Sequence, residues 1–413
     1  GIIGLGYVGL PISILFVKNN FKIIGFDINK KKIAKIKKNE SYIDRISGKD
    51  VELINKNGNF YSNFSHIKKC DVIIICVPTP LKNNEKPDLS CIKTTINSIK
   101  KYLKKGQILI LESTSYPGTT EEEIYQKIKN NFKVGENFFL GFSSERINPG
   151  KNENSIQKIP KVVSGYSKNC LKVISNFYSK SFNEIVESKS IEIAEFSKLL
   201  ENIYRSVNIG FINEMKILAD KMNLDIFDVI KIASTKPYGF RPFNPGPGIG
   251  GHCIPVDPGY LYWKSVKIGL PAKFIKLSAK INILVLNFIM QKILKNLNFK
   301  KITLAKSKIL ILGLSYKKDL DDIRESASIK LIDRLFKKGI KNISIYDPYV
   351  KDKISIKKIK KVNILNSKVL KSSDIVVLMT DHDLFDYDLI KNEAKLIIDC
   401  RGRFEVKDNV QRG

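Results

Sequence analysis

The chain has 413 residues and a formal net charge of +30. That length points to two or three domains with sizeable cores, and 43% hydrophobic residues exclude a chain too polar to fold. The charge raises nucleic acid or an anionic surface as a partner. The lysines, however, are spread through nearly every segment, as in INKKKIAKIKKNE and IKKIKKV, with no compact arginine-rich or aromatic-interleaved stripe. No nucleic-acid partner is expected, whereas anionic substrates are.

From residue 1 to about 190, short apolar runs alternate with amphipathic stretches: FKIIGFD, DVIIICVP, QILILEST, NFFLGFSSE and KVVSG. Strands spaced by helix-length segments predict βαβ units on a parallel sheet. Residues 191–300 change to helical spacing, where Ile193, Phe196, Leu199, Leu200, Ile203 and Val207 are expected to form one apolar face of a long helix. Such a helix could pair with a partner subunit, so a homodimer or higher homo-oligomer is expected. The strand alternation returns over 301–413 in KILILGLS, NISIYDP, DIVVLMT and AKLIIDCRG. The predicted fold class is therefore α/β: two Rossmann-like doubly wound parallel-sheet domains, 1–190 and 301–413, joined by a central helical domain, 191–300.

Six cysteines, at 70, 76, 91, 170, 253 and 400, show no CxxC pair and no disulfide-dense spacing, which points to a reducing, cytoplasmic setting. Three histidines, at 66, 252 and 382, lie far apart, so no metal site is expected. The apolar runs DVIIICVP, KILILGL and INILVLNFIM are shorter than the roughly 20 residues of a membrane helix and read as strands and a core helix, with no membrane. Only Gly1, Ile2 and Ile3 precede the first glycine motif, fewer than the about five residues of a usual strand, so the natural start is expected to lie upstream.

That motif, GIIGLGYVGLP, is a G-x-G-x-x-G turn at Gly4, Gly6 and Gly9. It follows apolar residues, opens the amphipathic PISILFVKNN, and is followed by Asp27 at the end of FKIIGFD, which is the context of a dinucleotide fingerprint. Gly4 is expected to allow the tight turn, Gly6 to let backbone approach a pyrophosphate, and Gly9 to permit close helix packing. A carboxylate at Asp27 accepts from a ribose 2′-hydroxyl and repels a 2′-phosphate, so NAD is the expected cofactor. Lys30, Lys31 and Lys32 just beyond could soften that discrimination.

A nucleotide site does not name a reaction. Lys198, Asn202 and Arg205 fall on one polar stripe of the long helix, and periodicity alone favours a solvated face. SSERINPG places Glu145 and Arg146 after an apolar run, at the end of a strand where open α/β sheets bind ligands. GPGIGGHCIPVDP sets Cys253 in a glycine-rich loop stiffened by proline. A cysteine there could be an activated nucleophile or a buried filler.

The ordered motifs GLGYVGLP, CVPTP, SSERINPG, EFSKLLENIYR, GPGIGGHCIPVDP, GLSYKKDLDDIRES and YDP resemble the UDP-glucose/GDP-mannose dehydrogenase family along essentially the whole chain. PGPGIGGHCIPVDPGYLYWK and MTDHDLFDY look most like the branch that oxidises UDP-N-acetylglucosamine at C6. The resemblance implies an NAD-dependent, four-electron oxidation of a nucleotide sugar's primary alcohol to a carboxylate, supplying surface polysaccharide precursors. In that pattern Cys253 matches the nucleophile, Lys198 the lysine that stabilises oxyanions or moves protons, Asn202 the oxyanion-orienting asparagine, Asp257 the nearby aspartate, and Glu145 the carboxylate of thioester hydrolysis. Gly4, Gly6, Tyr7, Val8, Gly9, Asp27, Thr79, Ser115 and Arg324 match the cofactor side, while Asn244, Gly248, Gly250, Lys317 and Arg401 match sugar or nucleotide-phosphate contacts. Ser115 stands where the UDP-glucose branch often has threonine, and Pro149 where it often has a second glutamate. His252 is expected to be structural. UDP-glucose or UDP-N-acetylmannosamine as substrate, and a two-electron β-hydroxyacid oxidation, stay open as alternatives.

Overall fold

The structure is a computed structural model and describes all residues except 44, 45, 83, 84, 147–152, 351–358 and 408. Pro149 therefore lies outside the described residues. The chain forms two compact units, Gly1–Glu201 with Gly259–Pro271, and Asn202–Pro258 with Ala272–Gly413.

In the first unit, strands β1 (Ile2–Ile3), β2 (Ile23–Phe26), β3 (Gly58–Tyr61), β4 (Val72–Ile75), β5 (Ile108–Leu111), β6 (Phe139–Ser143), β7 (Lys161–Gly165) and β8 (Ile185–Glu187) form one sheet ordered β3-β2-β1-β4-β5-β6-β7-β8. The central strands are apolar on both faces; all four residues of β5 are buried, as expected where helices cover both sides. The helix Gly9–Lys18 follows β1 and is buried along nearly its whole length. Strand order reverses between β1 and β4, which opens a crevice at the carboxyl ends of the strands. The parallel pattern predicted for this sheet has one exception: β6 and β7 run antiparallel, with Ser143 opposite Val163. The chain leaves β6 and enters β7 at the same end of the sheet, and the segment carrying Glu145 is that return connection.

In the second unit, β9 (Lys308–Leu312), β10 (Asn342–Tyr346), β11 (Lys360–Lys361), β12 (Ile375–Leu378), β13 (Ile397–Asp399) and β14 (Val410–Arg412) form a parallel sheet ordered β11-β10-β9-β12-β13-β14. Its reversal falls between β9 and β12. The run INILVLNFIM belongs to a helix Lys273–Phe299 of 27 residues, whose mean hydropathy of 1.4 over one stretch makes it long and apolar enough to cross a membrane. The apolar run alone is shorter because lysines punctuate the flanking turns without ending the helix. Leu286, Ile289, Met290, Ile293 and Leu297 pack in the core of the second sheet, so this is a core helix of that unit.

The long helix spans Ile191–Lys221, and the division between units falls within it. The single apolar face expected there splits in two. Leu199 and Ile203 are buried, whereas Ile193, Phe196 and Leu200 are exposed, because Leu199 and Leu200 point about 100° apart on a helix.

Candidate active site

The first-unit residues expected on the cofactor side all follow strands at their carboxyl ends. Gly4 leaves β1 with φ +93°, and a Cβ on Gly9 would sit 2.0 Å from the Gly4 carbonyl oxygen, so helix and turn meet only through glycine. A Cβ on Gly6 would meet no atom within 4 Å: the turn has open room beside it, as a pyrophosphate requires. Tyr7 and Val8 are partly buried against the core. Asp27, after β2, is buried and accepts from the backbone amides of Leu5 at 3.0 Å and Asn29 at 2.9 Å. Lys32 also pairs with it at 3.0 Å. Of the three lysines expected to soften the choice of NAD, one is thus paired with Asp27 itself. Thr79 is buried after β4, and the Ser115 hydroxyl, after β5, is buried without a hydrogen-bond partner among the described residues. An orphaned hydroxyl and an open glycine turn fit a bound dinucleotide.

Glu145 stands beyond the end of β6, in a small recess that it lines with Arg146, Ile156, Ile159, Pro160, Lys161 and Phe182. Behind it, Lys161 and Glu112 form a buried ion pair at 2.8 Å, and Tyr178 donates to Glu112. Burial alone would lower the Lys161 ammonium, but the carboxylates of Glu112 and Glu145 outweigh it and hold the group above its ordinary value. Arg146 donates to the Pro160 carbonyl at 3.2 Å and pairs with Glu201. Lys198 is buried.

In the second unit Cys253 is an exposed thiol. Its carbonyl accepts from the amides of Val256 at 3.1 Å and Asp257 at 2.8 Å, a turn that starts the helix Asp257–Lys267. Asn202 is buried, not solvated as its stripe suggested; it donates to the buried Asp257 carboxylate and accepts from the exposed Arg205. Gly250 and Gly251 lie against Tyr316. A Cβ on Gly250 would fall 2.5 Å from the Tyr316 Cβ, and Gly251, at φ +87°, donates to the Arg324 carbonyl at 2.9 Å. The cysteine loop is thereby laid along the segments that carry Lys317 and Arg324. Its beginning is fixed too: the Gly246 amide donates to Asn213 at 2.9 Å, and Asn213 donates to Asn282 at 2.9 Å. Gly248 has φ +117° and Asn244 is exposed. Burial, then the Arg324 guanidinium, holds the His252 imidazole below its ordinary value.

Lys317 and Arg401 both follow strand ends of the second sheet. The Lys317 carbonyl accepts from Ser315 at 2.9 Å. His382, fully buried, accepts from the Asp319 amide at 2.9 Å and faces Asp347 at 3.1 Å, pinning the loop around Lys317. Arg401 donates to the Met379 carbonyl at 2.7 Å, and its Nη1 would lie 3.0 Å from a Cβ on Gly246. Arg324 is held by Asp322, with Nε 3.0 Å from both carboxylate oxygens.

Sequence reasoning missed Asn213, Tyr316, Asp322 and Glu195. Asp322, two residues before Arg324, carried a local signal; the others act across the chain. Glu195 is buried and accepts from Gly118 and Thr120 amides at 2.6 and 2.9 Å and the Thr120 hydroxyl at 2.7 Å, ordering the turn after Ser115, while burial pushes its carboxyl up to about 7. The first unit also takes the helix beyond Pro258: Tyr260 donates to the Pro80 carbonyl at 3.3 Å, next to Thr79.

A dinucleotide turn followed by a carboxylate after the second strand, on an open and largely parallel sheet, is the mark of an NAD-binding protein. The chain belongs to the UDP-glucose/GDP-mannose dehydrogenase family: residues 1–182 match its NAD binding domain, 192–283 its central domain and 310–406 its UDP binding domain. It is an oxidoreductase acting on nucleotide sugars with NAD. Among its relatives are Protein CapL of Staphylococcus aureus, 35% identical over 98% of this chain and 95% of that protein, and a UDP-N-acetyl-D-glucosamine 6-dehydrogenase of Pseudomonas aeruginosa, 34% identical over 84% of this chain and 82% of that protein. The UDP-D-ManNAc dehydrogenase structure from Pyrococcus horikoshii superposes with a TM-score of 0.87 at 28% identity, covering 98% of this chain and 96% of that one. The named relatives thus divide between two amino sugars.

Proposed function

We propose that the chain oxidises the C6 hydroxymethyl of a UDP-N-acetylhexosamine, UDP-N-acetylglucosamine first, to the uronic acid through a covalent bond to Cys253. The observation that carries this reading is the exposed Cys253 thiol on a loop anchored by the Asn202–Asp257 pair and the Gly251–Arg324 hydrogen bond. Bound NAD supplies the hydride acceptor, twice per sugar. Removal of the first hydride and the alcohol proton leaves an aldehyde, which carries no alkoxide able to release a second. The Cys253 sulfur adds to that carbonyl carbon and gives a thiohemiacetal, whose oxygen takes the charge that we assign Lys198 and Asn202 to stabilise. Loss of the second hydride leaves a thioester. Glu145 takes a proton from the water that attacks it, the carbon–sulfur bond breaks, and the thiol and the carboxylate product are released.

Asp257 holds the Asn202 amide in register for this role. On the cofactor side we assign Gly4, Gly6, Tyr7, Val8, Gly9, Asp27, Thr79, Ser115 and Arg324; on the substrate side, Asn244, Gly248, Gly250, Lys317 and Arg401. The three-part division at residues 190 and 300 follows the same roles: NAD, catalytic helices and nucleotide sugar. The product is a precursor for surface polysaccharide, made in the cytoplasm.

A homodimer accompanies this reading. The long helix exposes Ile193, Phe196 and Leu200 in the first unit, and Tyr204, Phe211 and Leu218 in the second, with spacings of three to seven residues that give an apolar stripe. Light scattering at working concentration is expected to give at least twice the chain mass; a monomer would refute the assignment.

NADH release across UDP-N-acetylglucosamine, UDP-N-acetylgalactosamine, UDP-N-acetylmannosamine and UDP-glucose, with product mass, tests the substrate. UDP-N-acetylglucosamine is expected to give the highest kcat/KM, and preference for UDP-glucose would overturn the choice. Cys253→Ser is expected to abolish complete oxidation.

A further inference from the structure

We infer that Lys216 is an anion ligand of the nucleotide-sugar site, placed in the second unit to take the diphosphate of the bound nucleotide together with Arg401. The inference rests on the proposed UDP-sugar reading and adds a residue that neither motif nor periodicity marks.

Lys216 follows Asn213 by one turn of the long helix, on the same face. Asn213 holds the Gly246 amide, and Gly246 in turn faces the Arg401 guanidinium. Lys216 is only 2% exposed, yet its ammonium finds no hydrogen-bond partner among the described residues. The Phe288 ring lies 5.9 Å from it. The charged and titratable groups that act on it are Cys400, Asp399, Lys292 and Arg401.

None of these neutralises it. Asp399 is already taken by Arg412 at 2.7 Å and by the amides of Arg401 and Phe404. Asp220, one turn further on, pairs with Lys292. Burial pushes the Cys400 thiol up to about 11, so it carries no charge at neutral pH. Burial likewise pulls Lys216 down to about 8, with Lys292 and Arg401 adding to the effect. A buried cation with no counter-charge is among the costliest groups a fold can hold. An arriving dianion removes that cost, and two converging cations call for at least two negative charges. Arg401 lies within the matched UDP binding domain, which makes the diphosphate the anion of choice.

Binding then carries a proton signature. At pH 9 the free amine is mostly neutral, while guanidinium and both UDP phosphates are fully ionised. A diphosphate beside Lys216 raises its affinity for a proton, so the complex takes one up from solution. The test is calorimetric titration of the full chain with UDP at pH 9 and pH 6.5, in two buffers of different ionisation heat. Uptake approaching one proton is expected at pH 9, and no uptake, or a net release from the terminal phosphate of UDP, at pH 6.5. Lys216→Met is expected to weaken UDP binding about tenfold to a hundredfold, abolish the uptake and leave NAD affinity unchanged. If that variant does not fold, Lys216→Gln carries the same expectation.

UDP binding within twofold of wild type, or weakened binding with the uptake intact, would overturn the assignment of Lys216 alone. A wild-type chain that neither binds UDP nor turns over any UDP-sugar would overturn the proposed function with it.

Discussion

The side-chain amide of Asn202 donates to the carboxylate of Asp257, 55 residues further along the chain, and both groups are buried. The bond ties the long helix to the first residue of the helix that follows the cysteine loop. Asp257→Ala strands the amide and removes the acid from a helix's first turn, at a cost of about 1–3 kcal/mol. Thermal unfolding of this variant, of Asn202→Ala and of the double variant is expected to show strong coupling: the double variant should lose much less than the sum of the two. Additive losses would show that the bond does not hold the loop.

Asp27 and Lys32 make a second test. With Asp27 assigned to the ribose as proposed, Asp27→Asn removes that charged acceptor and takes from Lys32 its partner at 3.0 Å, leaving an ammonium free to meet a 2′-phosphate. The ratio of kcat/KM for NAD to that for NADP is expected to fall on the order of tenfold or more, about 1.4 kcal/mol. An unchanged ratio would place cofactor choice elsewhere.

Much of this was readable in the sequence because it rests on local pattern. Gly4, Gly6, Gly9 and Asp27 follow from a fixed spacing between one strand, one helix and the next strand, and the two sheets follow from apolar runs between helical stretches. Residues that act through tertiary contacts were not readable. Lys198 and Asn202 look like a solvated stripe until the chain buries them, and His382 looks isolated until Asp319 and Asp347 close on it. Antiparallel β7 was hidden because a strand's direction depends on which end of the sheet the connection crosses, and KVVSG is silent on that. The amphipathic stripe of the long helix divided because a window wider than 100° was read as one face.

The buried pair Lys161–Glu112 predicts an asymmetry between single and double substitution. Lys161→Met leaves a carboxylate buried without its cation and is expected to destabilise the first unit by about 3–5 kcal/mol. Adding Glu112→Gln to it should recover a large part of that loss, because the orphaned charge is then gone. Denaturant unfolding of the three variants checks this; equal losses in single and double variants would show that packing, not charge, is at stake.

Lys216 makes stability depend on pH in a defined window. Burial brings the ammonium down to about 8 in the fold from the ordinary 10.5 it regains when unfolded, so between these values the unfolded chain binds more protons. Stability contributed by this group therefore rises from about pH 8 to about pH 10.5, and is at its lowest below pH 8. In the absence of nucleotide, Lys216→Met is expected to unfold at higher denaturant concentration than wild type at pH 7, with the difference shrinking by pH 10. A variant less stable than wild type at pH 7 would show that the ammonium supports the fold.

The central claim, a four-electron oxidation passing through Cys253, is tested most directly by counting. Limiting UDP-N-acetylglucosamine is converted to completion with excess NAD, and NADH formed is compared with sugar consumed and with product mass. Two NADH per sugar and a carboxylate product are predicted. One NADH per sugar with a stable aldehyde or ketone would contradict the account.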